Sequence, residues 1–251
     1  VNVNEWTYET YSDGVLPTSE GLLKMSPKYQ VSPARGGVTF VHGAGSDATY
    51  CQQSYGRQGE LTTQVIAQGY NAIAGDNAGP QTWGNANSIA RLDTNIGRLF
   101  AEGNVATNKY AMIFGSMGGI VSINYAAQAA VKPSCIIGVI PVLNPQDIRD
   151  NNRSGYGPSI DAAYNGHYDE PTMGAFYNPW TMRSAAKLKN IPMLIFYGAT
   201  DALCLPQFAT DFIAADPTYR TGVSLPYGHQ EEAYASVDHQ MVIDFLNTHM
   251  G

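Results

Sequence analysis

The sequence predicts an α/β fold: a mostly parallel central sheet flanked by helices, with an antiparallel start and a cap insertion. Three observations carry this. From residue 37 onward, short β-branched or wholly apolar runs alternate with segments of helical period. The two strand-like runs before them have no helix between them, and the stretch 146–190 interrupts the alternation. Parallel neighbours need a crossover, usually a helix, whereas antiparallel neighbours need only a turn.

Residues 1–35 read as short strands and turns. Trp6–Tyr11 alternates apolar and polar before the turn at Ser12-Asp13-Gly14, and Gly21–Met25 is a second strand. Gly37–His42 is a β-branched run ending in Gly43-Ala44-Gly45. A helix at about 57–68 follows, with Leu61, Val65 and Ile66 at helical spacing, and then a strand at Tyr70–Ala74. Ser88 is placed to cap a helix Ile89–Glu102, in which Ile89, Leu92, Ile96, Leu99 and Phe100 line one face. The strand Lys109–Phe114 runs into Gly115-Ser116-Met117-Gly118-Gly119, where a helix Ile120–Ala130 begins. Cys135–Val142 and Ile191–Tyr197 are almost wholly apolar, as strands buried on both faces are. Val223–Leu225 is the last strand, and Val237–His249 closes the chain as a helix. The stretch 146–190 is rich in Asn, Gly, Pro and Tyr, and a long insertion between two sheet strands reads as a functional cap or lid on one domain spanning 1–251.

Composition narrows the function. The chain has 251 residues, 44% hydrophobic and only 14% charged, with a net charge of −7. So few cations make a poor match for a phosphate backbone, which argues against nucleic acid as a partner. No apolar run reaches the ~18 residues of a membrane-spanning helix. Polarity comes from Asn, Gly, Ser, Thr and 16 Tyr, a balance that hints at work outside cells or on a virion or cell surface. The chain starts at Val1 rather than Met, which suits removal of a leader. Cys51, Cys135 and Cys204 form no CxxC pair and no usual zinc site. A Cys51–Cys204 bridge is open to them, but three unpaired thiols are the expectation.

The sharpest signal is Ser116 on a tight strand-to-helix turn. Such a turn pushes the Ser hydroxyl out above the sheet, with free N–H groups of the helix start behind it. Gly118 and Gly119 supply the small residues that a close strand–helix approach needs. A Ser alone is a weak nucleophile; it needs a base, and an acid to orient that base. Asp201 follows one buried strand, in Tyr197-Gly198-Ala199-Thr200-Asp201, and His229 follows the last, in Pro226-Tyr227-Gly228-His229. All three fall at the carboxyl ends of strands, where open α/β sheets bind ligands. Rivals exist: His239 and His167 for the base, Asp147 for the acid, with Asp201 otherwise read as a turn-forming residue. His42 reads as structural support for the loop after it, and Asp76 as a turn former. Trp83, Tyr156, Tyr164, Tyr168, Phe176, Tyr177 and Trp180 together suggest an aromatic wall under the cap, of which Trp83, Tyr156, Tyr177 and Trp180 are the expected pocket residues.

The Ser…Asp…His order, the GSMGG turn, the HGAG loop and the GATDALCLP segment make the chain resemble the α/β-hydrolase superfamily over nearly its whole length. The resemblance implies Ser116 as nucleophile, His229 as base and then acid, and Asp201 as the residue orienting His229. It implies an oxyanion hole from the backbone amides of Met117 and Ala44. It also implies a serine esterase that uses no metal or organic cofactor. Its substrate would be a small-molecule or a lipid- or polysaccharide-linked ester. A peptidase, a polysaccharide deacetylase and a non-catalytic binding module on the same scaffold are the alternatives. One position departs from the family's G-x-S-x-G turn: Phe114 stands two before the Ser. A side chain of that bulk is expected to point away from the helix and to distort the turn.

Overall fold

The computed structural model describes residues 5–14, 16–30 and 32–251. The expectations for Val1 and for the parts of 1–35 at 1–4, 15 and 31 lie outside the described residues. One eight-stranded sheet organises the rest. Its strands are β1 (Glu5–Tyr11), β2 (Glu20–Ser26), β3 (Gly37–Val41), β4 (Asn71–Gly75), β5 (Tyr110–Gly115), β6 (Cys135–Val139), β7 (Met193–Gly198) and β8 (Arg220–Leu225). Their order across the sheet is β1-β2-β4-β3-β5-β6-β7-β8. β2 runs antiparallel to both β1 and β4, and every pair from β4 through β8 is parallel. The mostly parallel sheet with an antiparallel start is therefore as the element pattern predicts.

Between the strands lie α1 (Gln58–Ala67), α2 (Ala86–Glu102), α3 (Gly118–Gln128), α4 (Pro145–Asp150), α5 (Gly157–Ala163), α6 (Glu170–Tyr177) and α7 (Pro206–Ala214), and α8 (Glu231–Ala235) and α9 (His239–Met250) follow β8. The two-residue strand period sorts the core into two layers. Ala111 and Ile113 of β5 pack with Val65 and Ile66 of α1 and Val242 and Leu246 of α9. Tyr110, Met112 and Phe114 face the opposite way, toward Leu92 and Ile96 of α2, Val121 of α3 and Phe212 of α7. None of the helices among the described residues is long and apolar enough to cross a membrane.

Several boundaries differ from the sequence reading, each for a local reason. The cap of α2 is Asn85, and the Ser88 amide donates to Asn85 Oδ1 at 3.0 Å. The strand expected to run to Val142 stops at Val139, because Ile140 takes φ 41°. The closing helix starts at His239, where Asp238 accepts from the amides of Gln240 and Met241, and the separate short helix α8 precedes it. The stretch between β6 and β7 holds α4, α5 and α6, each with Pro in its first turn, where a missing N–H costs no helical bond. Its inner residues Ile148, Ile160, Tyr164 and Tyr168 join Trp83, Met117 and Ile120 in a third buried cluster.

All three cysteines are free, so the Cys51–Cys204 bridge does not form. Cys51 is buried, with its Sγ 3.8 Å from Met25 Sδ.

Candidate active site

β5 ends directly beneath Ser116, which takes φ 49°. Non-glycine residues rarely adopt this left-handed conformation, and it turns the chain sharply from strand into α3. The turn is held at both of its peptide groups. The Ser116 amide donates to Val139 O at 3.1 Å, and Ser116 O accepts from Gly119 and Val142, each at 2.9 Å. Gly118 is required: a Cβ there would lie 2.4 Å from Val41 O and 2.9 Å from His42 O. Phe114 does not distort the turn, and it does not point away from the helix. Its side chain is buried on the α3 side, and space for the ring comes from Gly138, its register partner on β6. A Cβ on Gly138 would meet Phe114 Cε2 at 2.5 Å. The extra bulk at 114 is thus matched by missing bulk one strand away.

The loops after β7 and β8 bring Asp201 and His229 to Ser116. Ser116 Oγ lies 2.8 Å from His229 Nε2, and His229 Nδ1 lies 2.8 Å from Asp201 Oδ2. Asp201 is 2% exposed, and its other oxygen, Oδ1, accepts from the amides of Leu203 and Cys204 at 2.8 and 2.7 Å. An ionised carboxylate has only acceptors, so the ring nitrogen facing it must carry the proton. That fixes the tautomer. Nε2 is left with a lone pair aimed at the Ser116 hydroxyl, which donates to it. A hydroxyl in this setting can lose its proton to the imidazole as it attacks an electrophile.

The loop after β3 lies against the same turn, and a Cβ on Gly43 would meet Ser116 Cβ at 3.2 Å. His42 braces this loop, with its ring nitrogens each 2.8 Å from the carbonyls of Gly43 and Asp76. Asp76 does more than shape a turn: Oδ1 accepts from Ala48 N at 2.9 Å and Oδ2 from Gly21 N at 2.8 Å. The Gly45 amide donates to Pro80 O at 2.8 Å. Ala44, braced on both sides, packs against the cluster that contains Met117.

The rival residues sit elsewhere. Asp147 is held by Arg153, whose Nε and Nη2 reach Oδ2 and Oδ1 at 2.5 and 3.2 Å. His239 is buried in the first turn of α9, and His167 Nδ1 accepts from Arg149 Nη2 at 2.9 Å. The expected aromatic wall divides. Trp83, Tyr156 and Tyr177 share one cluster with Met117 and Ala44, together with Tyr164 and Tyr168. Trp83 is itself fully buried, so it supports this region from below. Its indole N–H donates to Ser159 Oγ at 2.9 Å, and its carbonyl accepts from Tyr164 Oη at 2.8 Å. Trp180 is not brought to this group. It meets Phe208 edge to face, and the Arg183 guanidinium lies over its ring, 4.1 Å from the centroid.

Two neighbours of the site escape a reading by motif. Tyr234 packs its ring where a Cβ on Gly115 would be, 2.7 Å away, and burial pushes its hydroxyl pKa up. The glycine beside Ser116 was the available clue to that contact. Cys204 lies half-buried beside Asp201 and His229, and burial, reinforced by the charges of Asp201 and Asp147, pushes its thiol well above the ordinary range.

No protein-family model matches the chain, and no curated protein matches it in sequence. Solved structures match it closely in shape. An S-formylglutathione hydrolase from Agrobacterium tumefaciens aligns with TM-score 0.73 at 10% identity, covering 99% of this chain and 96% of that one. A substrate-bound fluorophosphonate-binding serine hydrolase from Staphylococcus aureus gives 0.74 at 16% identity, over 97% of this chain and 99% of that one. An acetyl xylan esterase from Paenibacillus sp. R4 gives 0.67 at 16%, over 97% and 88%. The chain has the α/β-hydrolase fold.

Proposed function

We propose that this protein is a serine hydrolase that cleaves carboxylic esters. One observation carries the reading: the unbroken hydrogen-bonded chain from Ser116 through His229 to buried Asp201. In this reading Ser116 Oγ attacks the ester carbonyl and His229 takes its proton. The amides of Met117 and Ala44 stabilise the oxyanion of the tetrahedral intermediate. Among the described residues neither amide donates to another acceptor, which supports this role. Each such donor is worth roughly 3–4 kcal/mol in systems where one has been removed. His229 then protonates the leaving alcohol, the acyl-enzyme forms on Ser116, and water activated by His229 releases the acid. The segment 146–190 serves as the cap on this single domain. Its half-buried Tyr156 and Tyr177 favour an apolar or aromatic substrate group over a charged one. The names of the structural neighbours support small-molecule and polysaccharide-linked esters as substrates. The composition, polar but poor in charge, supports a site of action outside the cell or on a cell or virion surface.

Short p-nitrophenyl esters and a fluorophosphonate label test the reading. The native protein is expected to turn over the esters and take the label, and Ser116→Ala to lose both. If the native protein hydrolyses no ester and takes no label, the fold is serving as a binding module and the proposal fails. Labelling that persists in Ser116→Ala overturns the assignment of the nucleophile.

A further inference from the structure

Cys204 has no part in the chemistry just described, yet its side chain lies against that machinery. Asp201, Cys204 and His229 each present one ligand atom, and these atoms all lie within 4.8 Å of one another. The placement follows from the loop. Asp201 Oδ1 binds the amides of Leu203 and Cys204, so the chain wraps around the carboxylate and brings residue 204 back beside it. Both Cys204 and His229 are partly open to solvent, and His229 keeps 20% of its side chain exposed.

A carboxylate oxygen, an imidazole nitrogen and a sulfur make a ligand set for a borderline-soft divalent cation. Zinc takes Cys, His and Asp at roughly 2.0–2.3 Å in a tetrahedron and accepts water as its fourth ligand. Magnesium and calcium, which want oxygen, do not suit it. Bringing ligand atoms from within 4.8 Å to tetrahedral spacing needs a shift of about 1 Å, within reach of side-chain torsions.

We propose that Asp201, Cys204 and His229 form an inhibitory site for zinc or a cation like it. This proposal rests on the catalytic reading of the same residues only for the word inhibitory; the binding itself does not depend on it. The cation takes the place of the proton between His229 Nδ1 and Asp201 Oδ2, and that proton moves to Nε2, so the imidazole binds as the neutral ring. Cys204 binds as thiolate, so one proton is released to solvent per cation bound. With its proton on Nε2, the metal-bound imidazole can no longer accept from Ser116. Metal and turnover are therefore mutually exclusive, and affinity rises with pH.

The experiment has two arms. Co²⁺ is added to the Ser116→Ala protein and the thiolate-to-cobalt charge-transfer absorption is followed, with Ser116→Ala/Cys204→Ser as the comparison. Zn²⁺ is titrated against p-nitrophenyl acetate hydrolysis by the native and Cys204→Ser proteins, each normalised to its own uninhibited rate. We expect a saturable cobalt band that the double variant lacks. We also expect zinc inhibition reversed by EDTA and weakened by about tenfold or more in Cys204→Ser, since even a supporting partner of a ligand is worth roughly 10-fold in affinity. Absence of the cobalt band overturns the site, whether or not the protein is a hydrolase. Equal zinc sensitivity of the native and Cys204→Ser proteins overturns the role of the thiol. A cobalt band in a protein that hydrolyses no ester leaves the site standing and overturns only the hydrolase reading.

Discussion

Replacing Asp201 by Asn isolates what the carboxylate does, and the surrounding hydrogen bonds dictate the result. Two backbone donors, the amides of Leu203 and Cys204, point at Oδ1. The new side chain must therefore present its carbonyl oxygen to them, because its NH₂ group there would face two other donors. That leaves the NH₂ group 2.8 Å from His229 Nδ1, where the carboxylate oxygen had been. The imidazole answers by moving its proton to Nε2, the nitrogen that must accept from Ser116. Shape is kept while the lone pair that faces Ser116 is lost. In a Ser-His-Asp enzyme the same change lowers turnover roughly 10⁴-fold, which at about 1.36 kcal/mol per tenfold is about 5.4 kcal/mol of barrier. Steady-state hydrolysis of p-nitrophenyl acetate measures this, and circular dichroism checks that the fold persists. A folded Asp201→Asn protein that keeps more than about a tenth of native turnover would refute the tautomer argument.

Three further outcomes are expected. Gly118→Ala forces a methyl against the carbonyls of Val41 and His42 and should cost about 1–3 kcal/mol in urea denaturation along with much of the activity; a neutral result would mean that α3 can slide freely. Arg91 and Glu20 are both fully buried and face each other, so Arg91→Ala should cost roughly 3–5 kcal/mol by removing the cation beside a buried carboxylate. A loss below about 1 kcal/mol would place that pair in the surface class. Burial holds the pKa of His239 and His249 below the ordinary 6.5, so the unfolded chain binds protons first as pH falls. Their contribution is complete above 6.5 and is lost as pH drops through the depressed folded values. The double variant His239→Gln/His249→Gln should show a flatter urea midpoint over that window, and parallel profiles would refute the assignment.

The order of elements and the meeting of Ser116, Asp201 and His229 were legible because both rest on strong local signals. Strands buried on both faces write continuous apolar runs, and residues just past their carboxyl ends share one edge whatever the details between them. What failed depended on partners distant in sequence. Nothing near Phe114 announces that Gly138 will pair with it across β5 and β6. Trp180 resembles its aromatic neighbours in composition, but the contact with Phe208 takes it to another layer. Asn85 and Ser88 are both good caps three residues apart, and only the backbone decides between them. The helices of 146–190 are too short for periodicity, although Pro145, Pro158 and Pro171 do mark their starts.

Both peptide groups of Ser116 are tied to the four residues 139–142, which also launch the chain into the segment beyond β6. That gives the molecule a natural splice point. Exchanging the segment beyond residue 144 for a different insertion would change the aromatic residues packed beside Met117 while the seat of the Ser116 hydroxyl stays intact. An exchange begun a few residues earlier would unseat it. New specificities on this scaffold are therefore most accessible to recombination that respects Val139, Ile140, Pro141 and Val142 as a unit.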